Sequence, residues 1–310
     1  MEGTSKLTIV IPVYNEEESI GDFLKKLVPL CEKNNYCLII VNDGSRDKSS
    51  SIIDQYSNRE FIIAISHKLN RGYGAALKTG LLAVRTKYAL TMDGDGQHSV
   101  YDVAPTLEFA EKSGADLVIG NREQSTQKTN FRSIGKLLIR FLAKQLMELP
   151  ITDLNSGFKL YRTDLLLEYL PLCPNTMAFS DIITLLFTNS RQLVLEVPIT
   201  VHPRRTGKST INIGTAFETI ATILNISIYF NPYKLFLPPA FFCLLFGLVW
   251  GIPIVLEGKG VSVGSLLLIF SSAFLFSIAL IASQLSSIRM QILEMFHVRR
   301  STEEDKPNYL

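Results

Sequence analysis

The sequence Tyr88–His98, YALTMDGDGQH, is the stretch around which the rest of the chain is organised. Its first part, Tyr88–Met92, is a short apolar run of the length of a buried strand. The part that follows places Asp93 and Asp95 one residue apart among glycines, and both residue types are disfavoured inside strands. Carboxylate oxygens on such a permissive backbone suit a hard divalent cation. The stretch therefore predicts a buried strand that ends in a metal site, with a turn of solvated aspartates as the alternative.

Apolar runs alternate with helix-like stretches through the first 120 residues. Strands are predicted at Leu7–Val13, Cys37–Val41, Phe61–Ser66, Tyr88–Met92 and Asp116–Gly120. Helices are predicted between them at Glu16–Leu30, Arg46–Tyr56, Gly72–Val84 and Tyr101–Lys112. This alternation predicts an α/β fold, with a mostly parallel sheet covered on both faces. Ligands of such sheets bind at the carboxyl ends of the strands, and polar residues follow the predicted strands at Tyr14–Glu16, Asn42–Ser45, Asp93–Gln97 and Asn121–Arg122.

The composition excludes several classes of protein. The chain has 310 residues, 47% of them hydrophobic and 19% charged, and a net charge of +2 gives no reason to expect nucleic-acid binding. Cys31, Cys37, Cys173 and Cys243 form no C-x-x-C pair, which predicts neither a zinc site nor a disulfide framework and favours a reducing, cytosolic compartment. The N-terminus does not resemble a signal peptide, because its apolar run is short and acidic residues follow at once.

A glycine-rich segment at Arg71–Leu77 invites comparison with the dinucleotide-binding pattern G-x-G-x-x-G. The position of the third glycine is occupied by Leu77. The segment therefore argues against a dinucleotide-dependent oxidoreductase. It predicts a glycine-rich helix start that packs near a nucleotide site.

The pattern changes after Arg122. Ile134–Leu149 has a broad apolar face and cations four residues apart, which predicts an amphipathic helix on a membrane surface, with an ordinary surface helix as the alternative. Thr215–Phe230 is also amphipathic and is predicted to lie at the interface.

A polar loop at Asp153 runs into a short apolar stretch that ends at Arg162. Helices are predicted at Thr163–Leu170 and Phe179–Thr188, and an edge strand is predicted at Leu193–Val201. The basic loop His202–Thr210 is either a solvated turn or a grip for a diphosphate.

Two long uncharged runs close the chain. Leu235–Leu256 and Val261–Ile288 are each long enough to cross a hydrocarbon core, and the link Glu257–Gly260 is too short for a domain. A hairpin of two membrane helices is therefore predicted, with two buried core helices as the weaker alternative. Cations cluster outside both distal ends, so the positive-inside rule predicts that both termini are cytoplasmic.

Six motifs occur along the chain in a fixed order: Ile11–Glu16, Val41–Ser45, Asn70–Gly74, Asp93–His98, Asn155–Lys159 and the Arg205–Lys208 loop. Together they resemble the family 2 glycosyltransferases, and within them the polyprenyl-phosphate branch. The resemblance covers nearly the whole chain, and the two-helix hairpin looks most like that of the bactoprenol glucosyltransferase group. It implies a Rossmann-like nucleotide-sugar domain of the GT-A type. The domains expected are a cytoplasmic catalytic domain at 1–214, a juxtamembrane amphipathic helix at 215–232, two membrane helices at 233–290 and a cytoplasmic tail at 291–310.

The resemblance assigns roles on the donor side by position. Pro12, Tyr14 and Glu16 would line the nucleoside pocket, and Asp43 would hydrogen-bond the base. The metal ligands for Mg²⁺ or Mn²⁺, and through the metal for the diphosphate, would be Asp93, Asp95 and Gln97. The cations expected to close over the phosphates are Arg204, Arg205 and Lys208.

On the acceptor side, the resemblance places Arg122 near the sugar or the acceptor phosphate, and Arg132 and Lys136 facing the lipid phosphate. Asp153 is the candidate general base. A phosphate monoester is largely dianionic at pH 7, so the acceptor is already a nucleophile. Asp153 is therefore favoured as a residue that positions the acceptor or orients the loop, with the base role as the alternative. Asp95, Asp153 and Arg122 are the expected catalytic residues.

The function implied is inverting transfer of a sugar from a nucleotide sugar to a polyprenyl phosphate at the membrane, with UDP-glucose as the first candidate donor. GDP-mannose and UDP-linked amino sugars are the alternatives, and relatives suggest a homo-oligomer. A processive polysaccharide synthase is disfavoured because its Q-x-x-R-W stretch is missing, the only tryptophan being Trp250 inside a predicted span. A non-catalytic membrane scaffold that keeps the fold is the alternative from another class.

Overall fold

The computed structural model describes residues 5–122, 151, 153–154, 156–202, 224, 227–228 and 231–304. The chain divides into two compact units. The first consists of Met1–Asn130 and Pro150–Ser209, and the second of Phe131–Leu149 and Thr210–Leu310. The predicted amphipathic helix Ile134–Leu149 and all but three residues of Thr215–Phe230 lie outside the described residues.

A seven-stranded sheet forms the centre of the first unit. Its strands are β1 (Leu7–Val13), β2 (Cys37–Asn42), β3 (Ile62–Ser66), β4 (Tyr88–Thr91), β5 (Leu117–Asn121), β6 (Lys159–Arg162) and β7 (Val194–Pro198). They lie in the order β3-β2-β1-β4-β6-β5-β7, and every pairing is parallel except those of β6, which runs antiparallel to β4 and β5. The predicted α/β fold with a mostly parallel sheet is therefore confirmed.

Helices lie between the strands along the chain. In the first unit they are α1 (Ile20–Asn34), α2 (Ser49–Asp54), α3 (Tyr73–Leu82), α4 (Val103–Ser113), α5 (Thr163–Tyr169) and α6 (Phe179–Asn189). The helix α1 is amphipathic and buries Phe23, Leu24 and Leu27 against the sheet. The helix α3 approaches the sheet closely, because a Cβ added at Gly80 would come 2.5 Å from Cγ1 of Val10. The central strands are buried on both faces, which explains their continuous apolar sequences.

The strand β6 is the element that the sequence pattern did not predict as a strand. It pairs Lys159 with Thr91 of β4 and with Ile119 of β5, so a four-residue segment separates two strands that would otherwise be neighbours. The edge strand predicted at Leu193–Val201 is found as β7, which pairs with β5.

The second unit contains two long helices, α7 (Pro232–Leu256) and α8 (Val263–Glu304). Both have an apolar segment long enough to cross a membrane, at Pro232–Leu256 and Val263–Arg289. Small residues form the contact between the helices, while large apolar side chains such as Phe241 and Phe274 point outward. The buried small residues are Ala240, Gly247 and Gly251 on α7 and Ser265, Ser272, Ala279 and Ser286 on α8. Close packing through small residues with an apolar exterior is typical of helices in lipid, so the two helices suggest a membrane-anchoring hairpin.

We predict that Gly247→Leu loosens this hairpin. A Cβ at Gly247 would lie 2.9 Å from Cγ1 of Ile269 and 3.1 Å from the carbonyl oxygen of Ser265, so a larger side chain must push the helices apart. Overpacking of this kind costs about 1–3 kcal/mol. Because Trp250 is the only tryptophan and lies in α7, its fluorescence during an SDS titration reports on the hairpin.

The matched control is Val249→Leu, since Val249 is 63% exposed and has room for an added methylene. Unfolding at lower SDS is expected for Gly247→Leu alone. Equal transitions for both variants would show that the helices do not depend on the close contact at this glycine.

Candidate active site

The predicted site residues of four strands meet at one edge of the sheet. Tyr14 and Glu16 follow β1, Asp43 follows β2, the Asp93–Gln97 loop follows β4, and Arg122 follows β5. The strand order reverses between β1 and β4, from which the chain continues toward opposite edges of the sheet. A crevice at such a switch point is where open α/β sheets bind their ligands.

The loop after β4 presses closely on its neighbours. Gly94 lies over β1, because a Cβ there would be 3.0 Å from the carbonyl oxygen of Pro12. Asp95 Oδ1 accepts a hydrogen bond of 3.0 Å from the backbone N–H of Gln97, which closes a tight turn. The carboxylate of Asp93 lies against the backbone of Gly157, where an added Cβ would overlap it. Only glycine permits this approach.

The donor set of this loop fits a hard divalent cation. Two carboxylates and the amide oxygen of Gln97 are oxygen ligands of the kind that Mg²⁺ and Mn²⁺ take, with phosphates and water completing the coordination. In the described part of the chain, no group of three or more histidine, cysteine, aspartate or glutamate side chains is arranged to hold a metal by itself.

The loops after β1 and β2 are tied together by side-chain hydrogen bonds to the backbone. Asn15 has a positive φ of 54°, and its Oδ1 accepts from the N–H of Arg46 at 2.8 Å. The N–H of Glu16 donates to Ser49 Oγ at 2.8 Å, and the Glu16 carboxylate accepts from Ser19 Oγ at 2.6 Å. Tyr14 stays 43% exposed beside these fixed loops, so its ring is accessible to a ligand, whereas Pro12 is buried in β1.

Asp43 is buried, and its carboxylate holds a neighbouring loop. Its Oδ1 lies 2.6 Å from Nδ1 of His67 and accepts from the N–H of Arg71 at 2.9 Å. Its Oδ2 accepts from the N–H of Gly72 at 2.9 Å. The side chain predicted to recognise a base is thus also the anchor of the chain segment that leads into α3.

Arg122 and Asp153 form a bidentate ion pair. Nε and Nη2 of Arg122 each donate to one oxygen of Asp153 at 2.7 Å, and the backbone N–H of Arg122 adds a third bond at 3.1 Å. Burial alone would raise the pKa of Asp153, but the hydrogen bonds and charge of Arg122 hold that pKa below its usual value. Glu196 supports the pair by accepting from the N–H of Asp153 at 3.0 Å. Asp153 is therefore a weak proton acceptor in this state.

Lys159 lies beneath this loop with its side chain fully buried. Its Nζ donates to the carbonyl oxygens of Leu154 (2.7 Å) and Ser180 (2.5 Å) and to Ser180 Oγ (3.0 Å). Burial lowers the pKa of Lys159 to about 8, while the nearby charges of Asp181 and Asp153 act in the opposite direction. The ammonium group thereby joins the loop after Asp153 to the start of α6.

Sequence patterns pointed to the carboxylates but not to their partners. Tyr73 donates from its hydroxyl to Asp93 Oδ1 at 2.9 Å, and burial together with the charge of Asp93 raises its pKa well above the ordinary value. His98 is buried edge-on against Phe158, and burial lowers its pKa. The sequence could have indicated Tyr73, because the Arg71–Leu77 segment was already predicted to pack near the site.

Five predicted cations lie outside the described residues, namely Arg132, Lys136, Arg204, Arg205 and Lys208.

The fold is that of solved glycosyltransferases. Glucosyl-3-phosphoglycerate synthase of Mycobacterium tuberculosis, solved with Mn²⁺, UDP-glucose and phosphoglyceric acid, matches with a TM-score of 0.55 and 20% identity, covering 72% of this chain and 80% of that chain. Its complex with Mg²⁺ and UDP matches with a TM-score of 0.54 and 18% identity, covering 72% of this chain and 79% of that chain. At this identity the likeness shows the fold alone, which is the expected GT-A type.

Curated relatives are more similar in sequence. An uncharacterized protein of Methanocaldococcus jannaschii is 33% identical over 50% of this chain and 64% of its own length. The dodecaprenyl-phosphate galacturonate synthase of Rhizobium johnstonii is 25% identical over 74% of this chain and 68% of its own length. The undecaprenyl-phosphate 4-deoxy-4-formamido-L-arabinose transferase of Edwardsiella ictaluri is 28% identical over 66% of this chain and 62% of its own length. The chain thus spans about two thirds of the length of these relatives or less.

Family models match both ends of the chain. Residues 8–170 match the family described as glycosyl transferase family 2, and residues 231–288 match the GtrB C-terminal hairpin. The chain therefore belongs to glycosyltransferase family 2. The resemblance inferred from the six motifs is confirmed, including the hairpin and the polyprenyl-phosphate branch, to which the relatives of Rhizobium johnstonii and Edwardsiella ictaluri belong.

We predict that Lys159 gives the protein a stability that rises with pH. Its pKa is about 8 in the folded protein and about 10.4 in an unfolded chain, so between these values the unfolded state binds more protons. Stability contributed by Lys159 must therefore increase from pH 8 to pH 10.4, by up to about 3 kcal/mol. The measurement is the free energy of unfolding of the wild type minus that of Lys159→Met, from urea titrations followed by circular dichroism.

The control for this comparison is Lys112→Met, which removes an exposed lysine paired with Glu108 on α4. Its difference from the wild type is expected to stay flat across the same pH range. A flat difference for Lys159→Met as well would mean that Lys159 keeps an ordinary pKa in the folded protein.

Proposed function

We propose that this chain is a membrane-anchored, inverting glycosyltransferase that moves a sugar from a nucleotide sugar to a polyprenyl phosphate. The observation that carries the proposal is the meeting, at one sheet edge, of the Asp93–Gln97 loop with the Arg122–Asp153 ion pair. The loop is suited to a cation and a diphosphate, and the ion pair presents an arginine side chain that is 39% exposed. A donor diphosphate and an acceptor phosphate would each find a complementary group.

On the donor side, the nucleoside would lie beside Tyr14 and Asp43, with Pro12 and Glu16 completing the pocket. Asp93, Asp95 and Gln97 would hold Mg²⁺ or Mn²⁺, and the cation, when bound, supplies Lewis-acid stabilisation of the diphosphate leaving group. Arg205 and Lys208, with Arg204 beside them, are the residues we assign to the outer side of the diphosphate. UDP-glucose is the first candidate donor, and GDP-mannose and UDP-linked amino sugars are the alternatives.

On the acceptor side, the chemistry needs no strong base. The second pKa of a phosphate monoester is about 6, so the lipid phosphate is a dianion and a nucleophile at pH 7. Asp153 accepts three hydrogen bonds from Arg122 and has a lowered pKa, so we assign it the role of holding Arg122 toward the acceptor. Arg132 and Lys136 are the further cations that we assign to the lipid phosphate. A single displacement would invert the anomeric centre.

The C-terminal hairpin suits a lipid acceptor. A long isoprenoid leaves only its head group at the membrane surface, so a catalytic domain at 1–214 must be tethered there to meet it. We place the helix at 215–232 in the interface, the two spans at 233–290 in the bilayer, and the catalytic domain and both termini, including 291–310, in the cytoplasm. The cations Lys234 and Arg289 at the outer ends of the two spans favour this orientation. A homo-oligomer is part of the same proposal.

We predict metal-dependent transfer that requires Asp95. The full chain in lipid nanodiscs is mixed with Mn²⁺, undecaprenyl or dolichyl phosphate, and a panel of UDP- and GDP-linked sugars, and the lipid product is identified by mass spectrometry. Chelation with EDTA is expected to abolish transfer. Asp95→Asn is expected to lower the rate about 10²–10³-fold, as removal of a group that stabilises leaving-group charge does in other enzymes.

If no donor of the panel is transferred although the protein binds UDP or GDP, the alternative of a non-catalytic scaffold is favoured. Transfer that EDTA does not affect would contradict the assigned role of the Asp93–Gln97 loop while leaving the transferase itself in place.

We predict that Asp153→Asn retains substantial activity. Loss of a general base costs about 10²–10⁴-fold, whereas loss of a positioning contact that leaves an amide oxygen in place is expected to cost about tenfold. The matched control is Asp164→Asn, because Asp164 pairs with Arg162 at the far end of β6. The rates of all three proteins are measured from pH 6 to pH 9 with the donor found above.

A parallel pH profile with a modest drop supports the positioning role of Asp153. A loss of several orders of magnitude for Asp153→Asn, with folding and donor binding intact and Asp164→Asn unaffected, would instead establish Asp153 as the base.

A further inference from the structure

The chain segment from His67 to Tyr73, which we name the 67–73 loop, connects the two carboxylates assigned to the donor. The first of these carboxylates is Asp43, which accepts from His67 at the beginning of the loop and from the N–H groups of Arg71 and Gly72 near its end. His67 is fixed in turn, because its Nε2 lies 2.9 Å from Oγ1 of Thr79 on α3. The loop is therefore anchored at its beginning and at its end by one buried aspartate.

The end of the 67–73 loop and the start of α3 pack closely against the backbone of the segment before α6. Gly72 has a φ of +97°, and a Cβ there would come 2.7 Å from the carbonyl oxygen of Asn175. A Cβ at Gly74 would come 2.5 Å from the carbonyl of Pro174 and 2.7 Å from that of Thr176. The start of α3 is thus enclosed between Asp43 on one side and the backbone before α6 on the other, which fixes where Tyr73 points.

Tyr73 reaches the second carboxylate. Its hydroxyl donates to Asp93 Oδ1 at 2.9 Å, and the backbone of Gly157 lies against the same carboxylate. The Asp93 side chain therefore has one orientation, set by a donor on one side and by close backbone on another. A neutral phenol orients the carboxylate without supplying a positive charge that would compete with a cation.

We propose that Tyr73 is a positioning residue for the cation and diphosphate site, and that Asp43 acts on the same site through the 67–73 loop. The inference rests on the proposed function, because it concerns the cation assigned to Asp93 and Asp95. It assigns Asp43 a second role beside contact with a base. Loosening the loop at Asp43 releases Tyr73, and the loss of its hydrogen bond allows the Asp93 carboxylate to rotate.

The test separates base recognition from cation positioning by using a diphosphate without a base. Binding of Mn²⁺ to the full chain in nanodiscs is measured by electron paramagnetic resonance, once with UDP and once with inorganic pyrophosphate. Wild type, Tyr73→Phe, Asp43→Asn and the double variant are compared. Each single variant is expected to weaken Mn²⁺–pyrophosphate binding about three- to tenfold, the net effect of one lost hydrogen bond.

The double variant shows whether the effects of Tyr73→Phe and Asp43→Asn on Mn²⁺–pyrophosphate binding depend on each other. Because both residues act through one loop, it is expected to bind Mn²⁺–pyrophosphate no more weakly than the weaker-binding single variant, whereas independent effects would multiply. The control is Tyr101→Phe, which removes the hydroxyl of a tyrosine that is 74% exposed and is expected to bind as the wild type does. Thermal melting of each variant confirms that the fold is intact, and Gly157→Ala, which crowds Asp93 from the opposite side, must weaken binding as well.

Three results would overturn the inference. One is unchanged Mn²⁺–pyrophosphate binding by Tyr73→Phe, and another is a loss for Asp43→Asn that appears with UDP only, which is what base recognition alone predicts. In both cases the wild type still binds, so the proposed function stands. Absence of Mn²⁺ binding by the wild type with UDP, GDP and pyrophosphate would remove the proposed cation site itself, and with it this inference.

Discussion

The antiparallel insertion of β6 between β4 and β5 is the constraint on which the site depends. A strand that runs against its neighbours begins at the edge where they end, so β6 delivers the preceding loop to the carboxyl edge of the sheet. Gly157 then lies against Asp93, and its carbonyl accepts from Thr91 Oγ1 at 3.0 Å. The same loop places Asp153 on Arg122. Residues from distant parts of the chain, Asp93 with Gly157 and Arg122 with Asp153, meet because of this one pairing.

Most of the fold could be predicted from the sequence because its strands are buried on both faces and read as continuous apolar runs. The bounds of the helices were less predictable. Glu16 and Glu17 were expected in α1, which begins at Ile20, because their N–H groups donate to Ser49 Oγ and Asp47 instead. The strand β6 was missed for a similar reason. Lys159 looks like a solvent-exposed residue in the sequence, and its burial is tolerable because Nζ donates to the carbonyl oxygens of Leu154 and Ser180 and to Ser180 Oγ.

The candidate site was predictable to the extent that it follows from strand ends. Each polar cluster was expected after a strand, and the parallel order brings those ends to one edge. Partners across the sheet leave no such pattern, since neither the contact of Tyr73 with Asp93 nor the support of Asp153 by Glu196 has a characteristic spacing. The sequence therefore indicated which carboxylates lie at the carboxyl edge of the sheet, and the structure shows that different partners hold them there.

In the proposed function, that difference matches the charge that the site would accept. A nucleotide sugar and a lipid phosphate are both anionic, so acidic side chains at the same edge would repel them unless their charge is compensated. Asp153 faces the guanidinium of Arg122, and Asp43 lies among three nitrogen atoms of its neighbours. Asp93 accepts instead from a neutral phenol, with the carboxylate of Asp95 only two residues away. Two carboxylates in one short loop favour the uptake of a cation, and in the proposed reaction that cation would make the edge attractive to a diphosphate. In the proposed reaction, Asp93 and Asp95 would thus serve the metal, whereas the charges of Asp43 and Asp153 are compensated by neighbouring groups of the protein.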